Sequence, residues 1–421
     1  MTSVLSLLAD RLGFPAIGSH RRFVTAIAVD ALGSGVFMPL TMLYFLAVTP
    51  LTLLQVGAAI SIASAVALPA GPLIGAVVDR VGAKQVLLAG NTLQALGFLA
   101  YLVTDSFAAV LVWTIVVTIG RTAFWGSYGN IVAAISQPGE RERWFGFLGA
   151  LRNVGFALGG LASGVAISIG TDLAFEVVVA VNAASYLLAL WLLIAVPDAR
   201  PGGRASLPGS WSTVLADRPY RLLMVAQVGY SLPMMILNFA LPVYMVTVLG
   251  LPGWSTGVVF TINCLMIGFG QGLAVNAMTG HVRYRLLLVT QAAFAASYVV
   301  FLGGSVLSVW VATAVMVVGG VVYTLAELTG GPVLAALSAE AAPEHLRGRY
   351  LSLIQLAWNV SSTIAPVTFA WLLERGPEPL WIVMLALTVL FALVSLRLGT
   401  VLPQAAERVT NRADVLPAPA G

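Results

Sequence analysis

The chain has 421 residues, of which 59% are hydrophobic and only 9% charged. A water-soluble domain carries about a quarter charged residues, so this composition excludes an ordinary soluble protein and asks for a bilayer as solvent. The net charge of +4 suggests a nucleic-acid partner, but the basic residues sit in short loops between apolar runs. That is a topogenic pattern and excludes a basic binding face.

In chain order, residues 1–22 read as a cytoplasmic segment. Leu5, Leu7 and Leu8 are too brief a core for a signal peptide, and the arginines follow rather than precede them. Residues 1–18 suit a short amphipathic helix on the membrane surface. Six apolar runs follow, at 23–47, 53–78, 85–103, 107–135, 144–168 and 174–196. A polar linker rich in Pro, Gly, Ser and Arg occupies 197–218. Six more runs lie at 219–247, 255–279, 286–303, 306–337, 350–373 and 380–402, and a tail spans 403–421. A membrane-crossing helix needs roughly 20 apolar residues. The fold class expected is an all-α integral membrane protein, with twelve transmembrane helices in two six-helix bundles, 23–196 and 219–402.

Of the 21 Lys and Arg residues, 18 lie in the termini, in the loops on the linker's side or at the span ends beside them, Arg121 and Arg152 lie deep within spans, and Arg375 alone lies in the loops opposite the linker. This asymmetry places both termini and the linker in the cytoplasm of a cell-membrane protein. The halves echo one another. Gly75-x-x-x-Asp79-Arg80 has a weak counterpart in Gly272-x-x-x-Asn276 with Arg283 and Arg285, and Pro138, Glu140, Arg141 and Arg143 resemble Pro343, Glu344, Arg347 and Arg349. A six-plus-six pseudo-repeat is a common transporter architecture.

Motifs sharpen this reading. The loop after the second span reads Gly75-Ala-Val-Val-Asp79-Arg80-Val-Gly82-Ala-Lys84, and it resembles the GxxxDRxGxK signature of the major facilitator superfamily. The first span carries Leu32-Gly33 and Pro39, similar to the LGxxxxxP element of that family's twelve-helix drug:proton antiporters without its second proline. The fifth carries Gly155-Phe156-Ala-Leu-Gly159-Gly160, similar to the antiporter GPxxGG with Phe156 in place of proline. The fourth carries Arg121, like the family's membrane-embedded arginine, with the following glycine one place late at Gly126. The resemblance implies alternating access, a small-molecule substrate and protons as the coupling ion. It also implies a cytoplasmic gate at Gly75, Asp79, Arg80, Gly82 and Lys84. Gly75 would let two helices approach closely, and Asp79 would bond Arg80 or cap a helix N-terminus.

Charges inside spans are the sharper clue, since each costs about 2.5–3.5 kcal/mol or more at the bilayer centre unless paired or wet. They are Asp30, Arg121, Arg152 and Glu327. Asp30 can pair with either Arg152 or Arg121. All four are proton-coupling candidates, with Asp30 and Glu327 as the proton carriers and Arg121 as a fixed cation that tunes them. Polar and aromatic residues then fall on single helix faces at spacings of 3, 4, 7 and 11. The first span offers Ser34, Phe37 and Thr41 beside Asp30, and the fourth offers Trp125 and Tyr128. The seventh offers Gln227, Ser231, Met234 and Asn238. Tyr323 sits beside Glu327, and the eleventh span offers Gln355, Trp358, Asn359 and Ser362. Such stripes line a cavity or bond a neighbouring helix. Gly155, Gly159 and Gly160 are candidate helix-packing positions.

Other classes find little support. Lys84 is the sole lysine, so a P-loop is absent, and His20, His281 and His345 fall in or near loops, so no metal site is expected. Gly253-Trp254-Ser255-Thr256-Gly257 matches a hydrolase elbow but opens a span, where Ser255 suits a helix cap. Cys264, the one cysteine, is a packing residue. A monomer without cofactors and without nucleic acid is expected, not an enzyme. A proton-coupled exporter of small hydrophobic or cationic compounds competes with an importer on the same fold, and more distantly with a receptor or membrane enzyme.

Overall fold

The structure, a computed structural model, describes residues 17–136, 141–196, 216–341, 347–401 and 407–409. The greater part of the linker and nearly all of the tail therefore lie outside the described residues. The chain divides into two compact units, Met1–Arg204 and Ala205–Gly421.

In the first unit, α1 (Arg21–Phe37) passes through a 3-10 turn at Met38–Leu40 into α2 (Thr41–Val48). Pro39 cannot donate to the preceding turn, which tightens the helix there. Next come α3 (Leu53–Ala67), α4 (Ala70–Val81), α5 (Ala83–Tyr101), α6 (Phe107–Ile135), α7 (Arg141–Ile169) and α8 (Asp172–Ile194). Side-chain caps mark the starts: Thr52 and Gln55 form a capping box on α3, Ser106 caps α6 and Thr171 caps α8. The span expected as continuous at 53–78 is broken. Its two halves, α3 and α4, bend by 46° next to Pro69, whose missing N–H and ring interrupt the ladder. Gly82, at φ 94°, makes the reversal from α4 into α5 that a residue with a Cβ resists.

In the second unit, α9 (Arg218–Met234) is capped by the Asp217 carboxylate. Two π-helical segments, Ile236–Ala240 and Tyr244–Val248, flank α10 (Leu241–Val243). Pro233 and Pro242 both remove donors from this stretch, so the backbone finds wider-ring partners. Then follow α11 (Trp254–Met278), α12 (Arg283–Gly303), α13 (Val309–Glu340), α14 (Arg347–Leu373) and α15 (Pro379–Val401). Ten helices of the described residues are long and apolar enough to cross a membrane, and the bent α3–α4 pair makes an eleventh. The helix α5, the third of the expected twelve spans, is not among these. The protein is a multi-pass membrane protein. Its isolated β-bridge joins Val282 to Arg408.

The first unit's core gathers Phe23, Ile27, Leu87, Phe124, Tyr128, Trp144 and Leu148. Helices α1 and α7 touch through glycine. A Cβ at Gly159 would stand 2.5 Å from the Leu32 carbonyl and the Val36 nitrogen, and one at Gly155 would stand 2.8 Å from the Ala31 Cβ. Gly35 answers from α1, where a Cβ would meet the Phe156 backbone at 2.6 Å. Lipid tails give helices no hydrophobic drive to associate, so this backbone-to-backbone approach is what the pair has to offer. Gly160 is buried beside them.

Candidate functional site

Asp30 lies on α1 and Arg152 on α7, so the glycine contact that draws these helices together also brings the two charges within reach. Of the two pairings open to Asp30, Arg152 makes the contact: its Nη1 donates to Asp30 Oδ2 at 2.7 Å. Asp30 is 3% and Arg152 8% exposed. Pairing at that burial compensates both charges. The guanidinium is further surrounded by ring faces. Its carbon stands 4.7 Å from the Trp125 centroid, 5.1 Å from Phe156 and 5.4 Å from Phe124, all within cation–π range. Phe156, the departure from the antiporter motif, thus supplies one wall of an aromatic box.

The rest of the stripe on the first span divides. Ser34 Oγ lies 3.1 Å from the Tyr186 hydroxyl of α8. Thr41 donates to the Met38 carbonyl at 3.0 Å, within its own chain segment. Phe37 is 6% exposed and packs edge-on to Phe98 at 4.8 Å, in a cluster that includes Tyr44 and Tyr101. In this structure Phe37 is a core residue. Tyr128 is buried against Phe124, rings 5.8 Å apart, whereas Trp125 is 51% exposed. Arg121 is exposed and within electrostatic reach of Tyr101 and Tyr186; it makes no ion pair with Asp30.

In the second unit the centre is Glu327 on α13, 4% exposed. Asn263 of α11 donates through Nδ2 to Glu327 Oε2 and to Thr324 Oγ1, the latter at 3.0 Å. The Tyr323 hydroxyl donates to the Pro233 carbonyl at 2.9 Å. The Tyr230 hydroxyl donates to the Glu327 carbonyl at 3.2 Å. Phe294 fills the space between Tyr230, Tyr298 and Tyr323, and the buried Tyr298 hydroxyl lacks a protein partner among the described residues. Asp30 meets an arginine; the Glu327 carboxylate meets the Asn263 amide but, among the described residues, no cation.

The polar stripe on α9 is partly reset by the π segment. Ser231 shares a 2.6 Å hydrogen bond with Ser361 of α14, Gln227 is buried, and Met234 is half-buried. Asn238 lies inside the π segment, where the register no longer follows 3.6 residues per turn, and its buried Oδ1 has no protein partner among the described residues. On α14, Gln355 Nε2 donates to Asn359 Oδ1 at 3.3 Å, Ser362 donates to the Asn359 carbonyl, and Trp358 is half-buried.

The gate motif holds two surprises. Gly75 is exposed, and within its own unit nothing among the described residues lies within 4 Å of where its Cβ would stand. Leu73 is 65% and Val77 45% exposed on the same helix. Asp79 and Arg80 are exposed. Lys84 instead works within the unit: its Nζ donates to the Ile194 carbonyl at the end of α8, 2.9 Å away, where the helix dipole favours a cation. Ser255 is not a cap. It donates to the Pro252 carbonyl at 2.6 Å, and α11 starts from Gly253 without a side-chain cap. Cys264 is buried.

Sequence reasoning missed Asn263, Tyr186, Ser361 and Phe124. A lone carboxamide in an apolar run was a usable signal for Asn263. The others looked like ordinary helix residues until the fold set them opposite a charge or a hydroxyl.

Three comparisons bear on this arrangement. A family model described as the Major Facilitator Superfamily matches residues 23–366. The multidrug resistance protein MdtH of Photorhabdus laumondii is 24% identical over 352 residues, covering 82% of this chain and 84% of that protein. Among solved structures, a mutant form of the nucleoside transporter NupG superposes with a TM-score of 0.74 at 12% identity, covering 90% of this chain and 98% of the other. A D-xylose–proton symporter superposes with a TM-score of 0.72 at 16% identity, covering 92% and 99%.

Proposed function

The chain belongs to the major facilitator superfamily, a family of transmembrane transporters, and from that premise we propose that it is a proton-coupled exporter of small hydrophobic or cationic compounds. The observation that carries the reading is Glu327: a carboxyl group at 4% exposure in the apolar span Val309–Ser338, hydrogen-bonded by Asn263 and facing no cation among the described residues. An uncompensated carboxylate in such a place is costly. A proton removes the cost, and so does a cationic substrate. If the two neutralise the same group, they exclude one another, and that exclusion is exchange.

Asp30 has a different part. Its charge is already compensated by Arg152, so it takes up a proton only when the pair opens. The box of Trp125, Phe124 and Phe156 holds the guanidinium by cation–π attraction in the meantime. Asp30 and Glu327 are therefore the coupling carboxyls of this reading, with Arg152 as the counter-charge of the first. The likeness to a multidrug resistance protein supports export; the likeness to symporter structures is one of fold and leaves direction aside. Both termini and the linker are placed in the cytoplasm by the arginine asymmetry of the loops, and the working unit is a monomer in the cell membrane.

The deciding experiment loads inside-out membrane vesicles with a proton gradient and follows a panel of fluorescent cations and neutral amphiphiles. Accumulation that collapses with a protonophore supports export. Gradient-independent equilibration of every compound refutes it, and accumulation in right-side-out vesicles alone assigns the importer.

A further inference from the structure

Arg121 stands apart from the charges used so far. It lies at the midpoint of α6, 14 residues from Phe107 and 14 from Ile135, or about 21 Å of helix from each end at 1.5 Å per residue. It is exposed and lies within electrostatic reach of Tyr101 and Tyr186. Those hydroxyls are engaged with Thr114 and Ser34, each at 3.1 Å. Among the described residues Arg121 meets no carboxylate, because Asp30 is held by Arg152. One turn further on along the same helix face, Trp125 carries the Arg152 guanidinium against its ring and still presents 51% of its surface.

A guanidinium cannot shed its proton usefully. At mid-depth, unpaired, it costs about 2.5–3.5 kcal/mol or more, so its exposed surface faces water or a ligand in preference to lipid tails. Lipid phosphates do not reach it, because the hydrocarbon core extends about 15 Å to either side of its midplane. The planar fork of an arginine matches an oxyanion with two parallel hydrogen bonds.

We propose that Arg121 anchors the oxyanion, such as a carboxylate, of an amphiphilic small molecule whose apolar body lies on Trp125. The inference rests on the transporter reading and extends it: compounds with an anionic group belong to the substrate range, alongside the hydrophobic and cationic ones.

Equilibrium binding tests this without any transport. The purified full chain in lipid nanodiscs is titrated with N-dansylglycine, a carboxylate, and with N-dansylglycinamide, its neutral match. The native protein should bind the carboxylate about tenfold tighter, the worth of a charge-assisted hydrogen bond. R121Q should abolish that preference, and R121K, which keeps the charge but loses the fork, should reduce it. W125A should weaken both ligands and leave their ratio intact. Equal binding of the two compounds by the native protein overturns the proposal, and this arm needs no variant to fold. An unchanged preference in R121Q overturns it too. Because nothing here depends on a proton gradient, failure of the export reading in vesicles and failure of this one are seen separately.

Discussion

Replacing Asp30 by Asn isolates the energetics of the buried pair. The substitution keeps the shape of the side chain but leaves the Arg152 guanidinium, 8% exposed, without its counter-charge at 2.7 Å. Removing one partner of a buried ion pair costs about 3–5 kcal/mol, because the orphaned charge keeps its desolvation penalty. The three aromatic faces around Arg152 are present before and after, so they do not offset the loss. For a unit of some 200 residues such a loss lowers the melting temperature by about 6–20 °C, at about 2–4 °C per kcal/mol. Arg152→Gln should cost less, since a carboxyl can take up a proton and an arginine cannot release one, and its cost should shrink as the pH is lowered. The double variant Asp30→Asn/Arg152→Gln should regain most of the stability, because neither charge is then orphaned. Thermal unfolding of the purified protein in detergent, followed by tryptophan fluorescence, reads all three. An Asp30→Asn protein that melts with the native one, or a double variant whose loss is the sum of the single losses, refutes the reasoning.

Glu327→Gln should leave the fold intact, since Asn263 can still bond a carbonyl oxygen, while transport by inside-out vesicles loses its dependence on the proton gradient; gradient-driven accumulation at the native rate would show that the coupling group lies elsewhere. Gly159→Leu should destabilise by about 1–3 kcal/mol or more, because its Cβ would meet α1 backbone at 2.5 Å, and a detergent melt no lower than native would contradict the packing described. Gly75→Leu, with nothing within 4 Å of the new Cβ, should melt like the native protein yet slow transport if the motif gates the cytoplasmic side; an unchanged rate removes the gate. Single cysteines placed between Arg200 and Arg218 should resist a membrane-impermeant maleimide in intact cells and ones at Glu374–Pro379 should react, in a background lacking Cys264; the reverse pattern inverts the topology.

Much of this molecule was legible from its sequence because a bilayer demands so much of a chain. Apolar runs near 20 residues, separated by short loops with arginine on one side, admit helices and little else. The four charges inside the spans announced themselves against that background, as did Gly155 and Gly159. What the sequence could not choose was partnership. Asp30 had two arginines at suitable depth, and only the glycine contact of α1 with α7 decided for Arg152 over Arg121. The stripe arithmetic counted Phe37 with its polar neighbours, yet side-chain identity and spacing do not say which side of a helix meets another helix; Phe37 turned into an aromatic core. Asn238 drifted because two prolines widened the turns of its helix, a cumulative backbone effect that period counting assumes away. Asn263 became the partner of Glu327, and Lys84 the cap of α8, through contacts between elements far apart in the chain. Hydropathy and charge are properties of single residues, which a sequence states outright. Pairing depends on which helices touch and in what register, and that is settled only when all the helices pack together.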